Sequence, residues 1–257
     1  MLQPAGYVRG SAVGLERDGV AIHENAPVLQ FESTSAGWRL NFARGTLSAA
    51  KVILANNGHL ENFGFKQGQL MHIMLNACMT EELREDQLRR LGGQESWGIT
   101  PSDPMGTTVR RIGKAQGGNR IVIRQGGYYR PEMQTSAGDL ARLRHKMRQK
   151  FCARFPQLTD VQFQYAWSGH LCLSKNGVSV NRQLEPGLFS ACVCNGLGTA
   201  RGTLMGISAA ELACGQTSDI TAFFHEEDEP SRLPPHPFDT IGANAYMRWK
   251  EWQARLE

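Results

Sequence analysis

The chain has 257 residues, 41% hydrophobic and 20% charged, enough to bury one large core or two small ones. A formal charge of +4 without a basic run interleaved with aromatics argues against a nucleic-acid groove, and no apolar stretch nears the ~20 residues that span a bilayer. No charged n-region followed by an apolar segment opens the sequence, so the expected location is the cytoplasm, and Cys78, Cys152, Cys172, Cys192, Cys194 and Cys214 lie inside apolar stretches, as reduced core thiols do.

Residues 4–17 read as a helix with Pro4 in its first turn, stopped at Asp18-Gly19. Val20-Ala21-Ile22, Val28 to Glu32 and Gly37 to Phe42 are rich in β-formers and split by turn residues, which predicts a small antiparallel meander. Lys51 to Ala55 is a continuous apolar run ending at Asn56-Asn57-Gly58, the pattern of a strand buried on both faces that meets a tight turn beside a ligand. Leu70 to Met79, Thr107 to Ile112 and Arg120 to Tyr129 alternate like strands of a second antiparallel sheet, with a short Thr80-capped helix after the first. Leu140, Leu143, Met147, Phe151 and Phe155 recur at helical spacing over 138–155, an apolar stripe that should lie on that sheet. Val161 to Cys172 and Leu188 to Val193 return to strand character, and Thr199 to Cys214 reads as a helix. His225 to Pro237 is acidic and then proline-rich, and should wander over the surface before a closing turn or helix near Tyr246 to Trp252.

The segment richest in chemistry runs from Asn195 to Gly206, Asn-Gly-Leu-Gly-Thr-Ala-Arg-Gly-Thr-Leu-Met-Gly, after a buried strand and into a helix with glycines every four residues. A helix N-terminus offers unpaired N–H groups and partial positive charge, so this place can hold an anion or the electron-rich pyrimidine edge of a reduced flavin. Glycines at that spacing equally suit a helix packed tightly on a strand. His59 and His72 have no companion at metal-ligand spacing, and no metal is assigned.

Four stretches together resemble the flavin-dependent family that includes D-amino-acid oxidase, glycine oxidase and γ-glutamylputrescine oxidase. They are Leu2-Gln3-Pro4-Ala5 with Tyr7 to Gly10, Val52 to Gly58, Tyr165-Ala166-Trp167-Ser168-Gly169, and Asn195 to Gly215. The likeness runs in order over residues 1 to about 218 and implies a mixed α+β and α/β fold. It implies an FAD-binding α/β remainder in residues 1–69 and 161–222, interleaved with an antiparallel-sheet substrate domain in 70–160, and a surface tail in 223–257. It puts Val28 beside the adenosine half of FAD and Ala55, Asn56 and Gly58 near the pyrophosphate or ribose. Trp167, Ser168, Gly169, Asn195, Gly196, Gly198 and Thr199 would lie near the isoalloxazine, with His170 as the one titratable, candidate catalytic side chain beside it.

Two departures shape the expectation. No Gly-x-Gly-x-x-Gly fingerprint for the FAD diphosphate precedes Leu2, so the chain reads as the C-terminal portion of a longer enzyme, or as one needing an N-terminal half from a partner chain. Leu171 stands where amino-acid-oxidising relatives carry a carboxylate-gripping Arg, which points to an amine or N-substituted amino substrate; Arg124, Tyr128 and Tyr129, with Arg130, are the alternative substrate-binding group. The implied activity is FAD-dependent amine oxidation; the competing reading is a non-catalytic binding domain that keeps the fold without tight FAD binding.

Overall fold

The structure is a computed structural model that describes residues 2–256, so Met1 and Glu257, the outermost residues of the expected domain ranges, lie outside it. The elements in chain order are α1 (Pro4–Arg17), β1 (Gln30–Thr34), β2 (Gly37–Phe42), β3 (Gly45–Ala49), β4 (Val52–Leu54), β5 (Leu70–Thr80), α2 (Glu85–Leu91), β6 (Trp97–Ile99) and β7 (Thr108–Ile112). There follow β8 (Arg120–Tyr129), α3 (Ala137–Arg154), β9 (Phe163–Ser174), β10 (Val180–Glu185), β11 (Leu188–Cys192), α4 (Ala200–Cys214), α5 (Asp219–His225) and α6 (Phe238–Gln253). The fold is of the mixed helix and sheet class expected, with antiparallel sheets. Two compact units divide the chain: Leu2–Met71 with Cys172–Leu233, and His72–Leu171 with the chain from Pro234 onward.

In the first unit, α1 begins where Pro4 presets φ and the Gln3 side chain accepts the Ala5 N–H. Val20-Ala21-Ile22 is irregular instead of a strand: among the described residues no strand pairs with it, its Val20 N–H donating back to the Leu15 carbonyl, and Val20 and Ile22 remain exposed. β1, β2 and β3 form the antiparallel meander, anchored by buried Trp38, whose Nε1–H donates to the Pro186 carbonyl at 3.1 Å. Gly37 is obligatory in it, because at φ +130° a Cβ would fall 2.4 Å from the Ala49 carbonyl oxygen. The second sheet runs β10-β11-β4, with β4 parallel to β11. β4 is not buried on both faces as expected: it is the last strand of that sheet, and Ile53 is 40% exposed. The Asn56-Asn57-Gly58 turn opens a single 3-10 segment, Asn57–Phe63.

α4 packs on this sheet through Met205, Ser208, Ala209 and Ala213, and Asn181 ties them together by donating to the Met205 carbonyl while accepting the Ser208 hydroxyl. The acidic stretch after α5 is pinned rather than wandering, for its carboxylates meet buried-stem cations: Glu227 pairs with Arg201, and Glu229 with Arg182 and Lys66.

In the second unit five strands lie in the order β6-β7-β8-β5-β9. One face carries Cys78, Val109, Ile121 and Ile123, packed under Leu143, Met147 and Phe151 of α3 into the main core. The helix expected to be capped by Thr80 starts later. Thr80 ends β5, its hydroxyl accepting the Ile121 N–H at 3.0 Å, and α2 is capped from Arg84 with the Gln87 side chain folding back onto it. Between the pairs Ala77–Arg124 and Leu75–Gly127, the single Asn76 of β5 faces both Gln125 and Gly126 of β8. This bulge, with Gly126 at φ +70°, reverses the alternation of side chains along the rest of β8. Beyond it β8 has outrun β7, and α6 closes the free edge: the Asn244 carboxamide accepts the Tyr129 N–H and donates to the Tyr129 carbonyl.

Candidate binding clefts

A cleft of about 350 Å³ in the first unit is lined by Val28, Phe31, Leu40, Val52 to Asn56 and Phe63. Its walls are apolar because they are the inner faces of the meander and the end of β4, and three residues singled out from the sequence, Val28, Ala55 and Asn56, meet in it. Asn56 supplies the polar element. Its Oδ1 accepts from the Cys192 thiol at 3.3 Å, while its buried Nδ2 has no partner among the described residues. One carboxamide among otherwise apolar walls, Phe31 and Phe63 included, suits a flat heterocycle or sugar carrying acceptors. Gly58, two residues on, is buried outside the lining, and Asn57 beside it (φ 51°) accepts the Val193 N–H.

The loop between β11 and α4 turns through three left-handed residues, Val193, Asn195 and Gly196. The Asn195 side chain is spent on holding it. Its Oδ1 accepts the Ser174 N–H at 2.9 Å, and its Nδ2 donates to the carbonyls of Val178, Gly177 and Val193. Gly196 and Gly198 present exposed backbone at the start of α4, whose cap, Thr199, makes no side-chain capping bond. The tight-packing reading of the glycines fails here. A Cβ on Gly198 would meet only the Cys194 sulfur at 3.6 Å, and on Gly202 or Gly206 nothing within 4 Å.

In the second unit, Tyr165 and Trp167 of β9 stand 49% and 41% exposed on a cleft of about 410 Å³ that also takes in Met79, Gly117, Arg120 and Ala166. Arg120 donates to the Thr80 carbonyl at 2.8 Å and lies 5.8 Å from the Tyr165 ring. Ser168 and His170 alternate with Trp167 and Gly169. Ser168 donates to Asn76 at 2.8 Å, and His170 Nε2 lies 3.0 Å from His72 Nδ1 with the rings stacked. In that histidine contact one ring nitrogen donates and the other accepts, so one proton lies between the two rings. The sequence offered no sign of His72 or Asn76 as partners, because both contacts cross from β5 to β9.

Arg124, Tyr128 and Tyr129 are not brought together. Arg124 stands opposite Ala77 but Tyr128 stands opposite Met74, so the bulge puts the two on opposite faces. Tyr129 is buried, its hydroxyl donating to Asp239 at 2.9 Å, and Arg130 faces Asp139. Of this group, Arg130 meets a carboxylate and Arg124 does not, donating instead to the Thr108 hydroxyl at 3.1 Å. Among those residues, too, no three His, Cys, Asp or Glu side chains gather as a metal would require, and no helix is long and apolar enough to cross a membrane. The buried thiols are inert by environment: burial pushes Cys78 up to about 11 and Cys172 up to about 12.

The chain belongs to the FAD dependent oxidoreductase family, which matches it over residues 1–212. Among curated proteins it is similar to the probable oxidoreductases OrdL of Rhizobium meliloti, 22% identical over 81% of this chain and 47% of that one, and of Haemophilus influenzae, 22% identical over 86% and 49%. It therefore spans about half the length of the curated relatives it matches. Among solved structures, the glycine oxidase of Geobacillus kaustophilus superposes with a TM-score of 0.60 at 20% identity, over 84% of this chain and 55% of that one. The L-amino acid deaminase of Proteus vulgaris superposes with 0.64 at 13% identity, over 84% and 61%. At these identities the likeness is one of fold.

Proposed function

We propose that this chain is the FAD- and substrate-binding portion of an enzyme that oxidises an amine or an N-substituted amino compound. The observation that carries the reading is the cleft of the first unit, where Val28, Ala55 and the unpaired amide of Asn56 converge in a chain of the FAD dependent oxidoreductase family. The residues fit the adenosine half of the cofactor: apolar walls, Phe31 and Phe63 among them, for the base and sugar carbons, and the Asn56 carboxamide for an acceptor on either. Gly196, Gly198 and Thr199 would approach the isoalloxazine with backbone N–H groups at the α4 N-terminus, Asn195 holding the loop in shape. FAD supplies the oxidant, a hydride acceptor for the carbon next to the substrate nitrogen.

The protein's own part is to orient and desolvate. Trp167 and Gly169 share the β9 face on which a substrate would lie; Ser168 and His170 alternate to the other face, so the His72–His170 pair would hold a proton behind that wall, with His170 the candidate for a catalytic role. Because the chain spans half the length of its relatives, an N-terminal half, in the same or a partner chain, would add the diphosphate contacts. Free thiols throughout suit a reducing compartment, and we place the protein in the cytoplasm.

The test is an absorption spectrum of the chain after incubation with FAD and removal of free ligand, with Asn56→Leu beside it. Flavin bands that the substitution depletes support the reading; a protein equally colourless with and without Asn56 leaves the non-catalytic binding domain as the better account.

A further inference from the structure

The five-stranded sheet has one face packed under α3, and the other carries an unusual set of charges. Register places Thr108 opposite Arg124 and Arg110 opposite Val122, so these side chains share the face turned away from Val109, Ile121 and Ile123 of the core. Across β8, Ala77 stands opposite Arg124 and Met79 opposite Val122; Gly98 stands opposite Arg110. The two guanidiniums are therefore diagonal neighbours on adjacent strands, within reach of one another, with Ala77 beside Arg124 and Gly98 beside Arg110. Arg120 follows on the same face of β8, at the rim of the cleft that holds Tyr165 and Trp167.

No carboxylate answers this charge. The Arg110 side chain makes no hydrogen bond or ion pair among the described residues, and Arg124, half-buried, has only the neutral Thr108 hydroxyl. Burial, and then the charge of Arg110, hold the Arg124 guanidinium below its ordinary value. A half-buried cation next to a like charge is costly unless an anion completes it.

We infer that Arg110 and Arg124, with Thr108 orienting the latter, form a subsite for the carboxylate of an amino compound whose amine end lies toward Trp167. This deepens the amine-oxidation reading and rests on it for the direction of the substrate: with Leu171 on β9, an acidic group farther along the molecule is gripped from β7 and β8 instead. The substrate class becomes amines bearing a carboxylate remote from the oxidised carbon. A guanidinium suits this task because its planar fork meets both carboxylate oxygens.

Isothermal titration of the full chain with glutarate, and with neutral glutaramide as control, tests the subsite without any flavin chemistry. The expected result is saturable glutarate binding that glutaramide does not reproduce, weakened about tenfold or more by Arg124→Met and by Arg110→Met, and only partly retained by Arg124→Lys. Arg110→Met guards against misfolding, since that side chain is exposed and touches nothing polar; thermal melts confirm that each variant folds. Glutarate heats that are absent, or unchanged in both Met variants, overturn the inference. FAD absorbance on the same samples separates the two ideas. Arginine-dependent glutarate binding without bound FAD keeps the subsite and removes the flavoenzyme reading, whereas bound FAD with no glutarate response removes the subsite alone.

Discussion

Asn195 and Ser174 lie 21 positions apart, and the Asn195 carboxamide accepts the Ser174 N–H at 2.9 Å while donating to three carbonyls around it. One side chain thus stitches the end of β9 and the start of β10 to the loop that leads into α4, and asparagine is also the side chain that tolerates the left-handed backbone it occupies. Asn195→Ala should cost about 2–3 kcal/mol, seen in urea unfolding, since buried backbone groups lose their partners. Asn195→Asp keeps the acceptor but sets a carboxylate oxygen against three carbonyl oxygens, and should cost at least as much near neutral pH; a smaller loss would mean that the Ser174 bond dominates.

The α4 glycines separate packing from binding. With nothing within 4 Å of a Cβ at Gly202 or Gly206, alanine at either position should raise the chain's own stability by about 0.5–1 kcal/mol through helix propensity. Gly37→Ala, by contrast, should destabilise by several kcal/mol, because its Cβ would strike the Ala49 carbonyl in a backbone that L-residues avoid. Urea titrations of the three variants give the signs directly.

Acid should loosen the α2 anchor. Hydrogen bonds from Arg90, then from Gln87, hold the Asp160 carboxyl well below the usual carboxylate range. A carboxylate depressed on folding stabilises above its unfolded value, near 3.8, and that contribution disappears as pH falls through the folded value. Melting temperatures of wild type and Asp160→Asn should therefore differ most at neutral pH and converge below pH ~4. A gap that stays constant into acid would show that the Asp160 network is not what titrates.

Thiol chemistry should follow burial. In the native chain Cys214 is exposed and should react with a disulfide reagent first, whereas Cys78, Cys172 and Cys192 should stay silent until denaturant exposes all six. Early labelling of Cys172, followed by mass spectrometry, would place the β9 end outside the core and contradict its packing with Val180 and Cys192.

Much of the architecture is legible along the chain. The α1 helix follows from Pro4 and the Asp18-Gly19 stop, α3 from its apolar stripe and α4 from the run after Asn195, and β2, β5, β8 and β11 from runs of β-formers. The short strands β3, β6 and β10 escaped, since three to six residues of mixed Gly, Thr, Asn and Arg carry little period and take strand form only against a neighbour. Val28, Ala55 and Asn56 could be marked as one site because the resemblance named them, yet the unpaired Nδ2 that makes the cleft polar belongs to the packing around it.

What the sequence determined by itself is therefore the set of local choices: which segments coil, which extend, where glycine must turn the chain, and to which flavin family the succession belongs. Only the tertiary structure decided which side chains share a face. The bulge that separates Arg124 from Tyr128 exists because Asn76, some fifty positions earlier, faces two residues at once, and the His72–His170 contact joins strands 98 positions apart. Periodicity and turn chemistry act between near neighbours and can be read in order, whereas register, edge closure by α6 and the Arg110–Arg124 juxtaposition are set by pairing across the sheet.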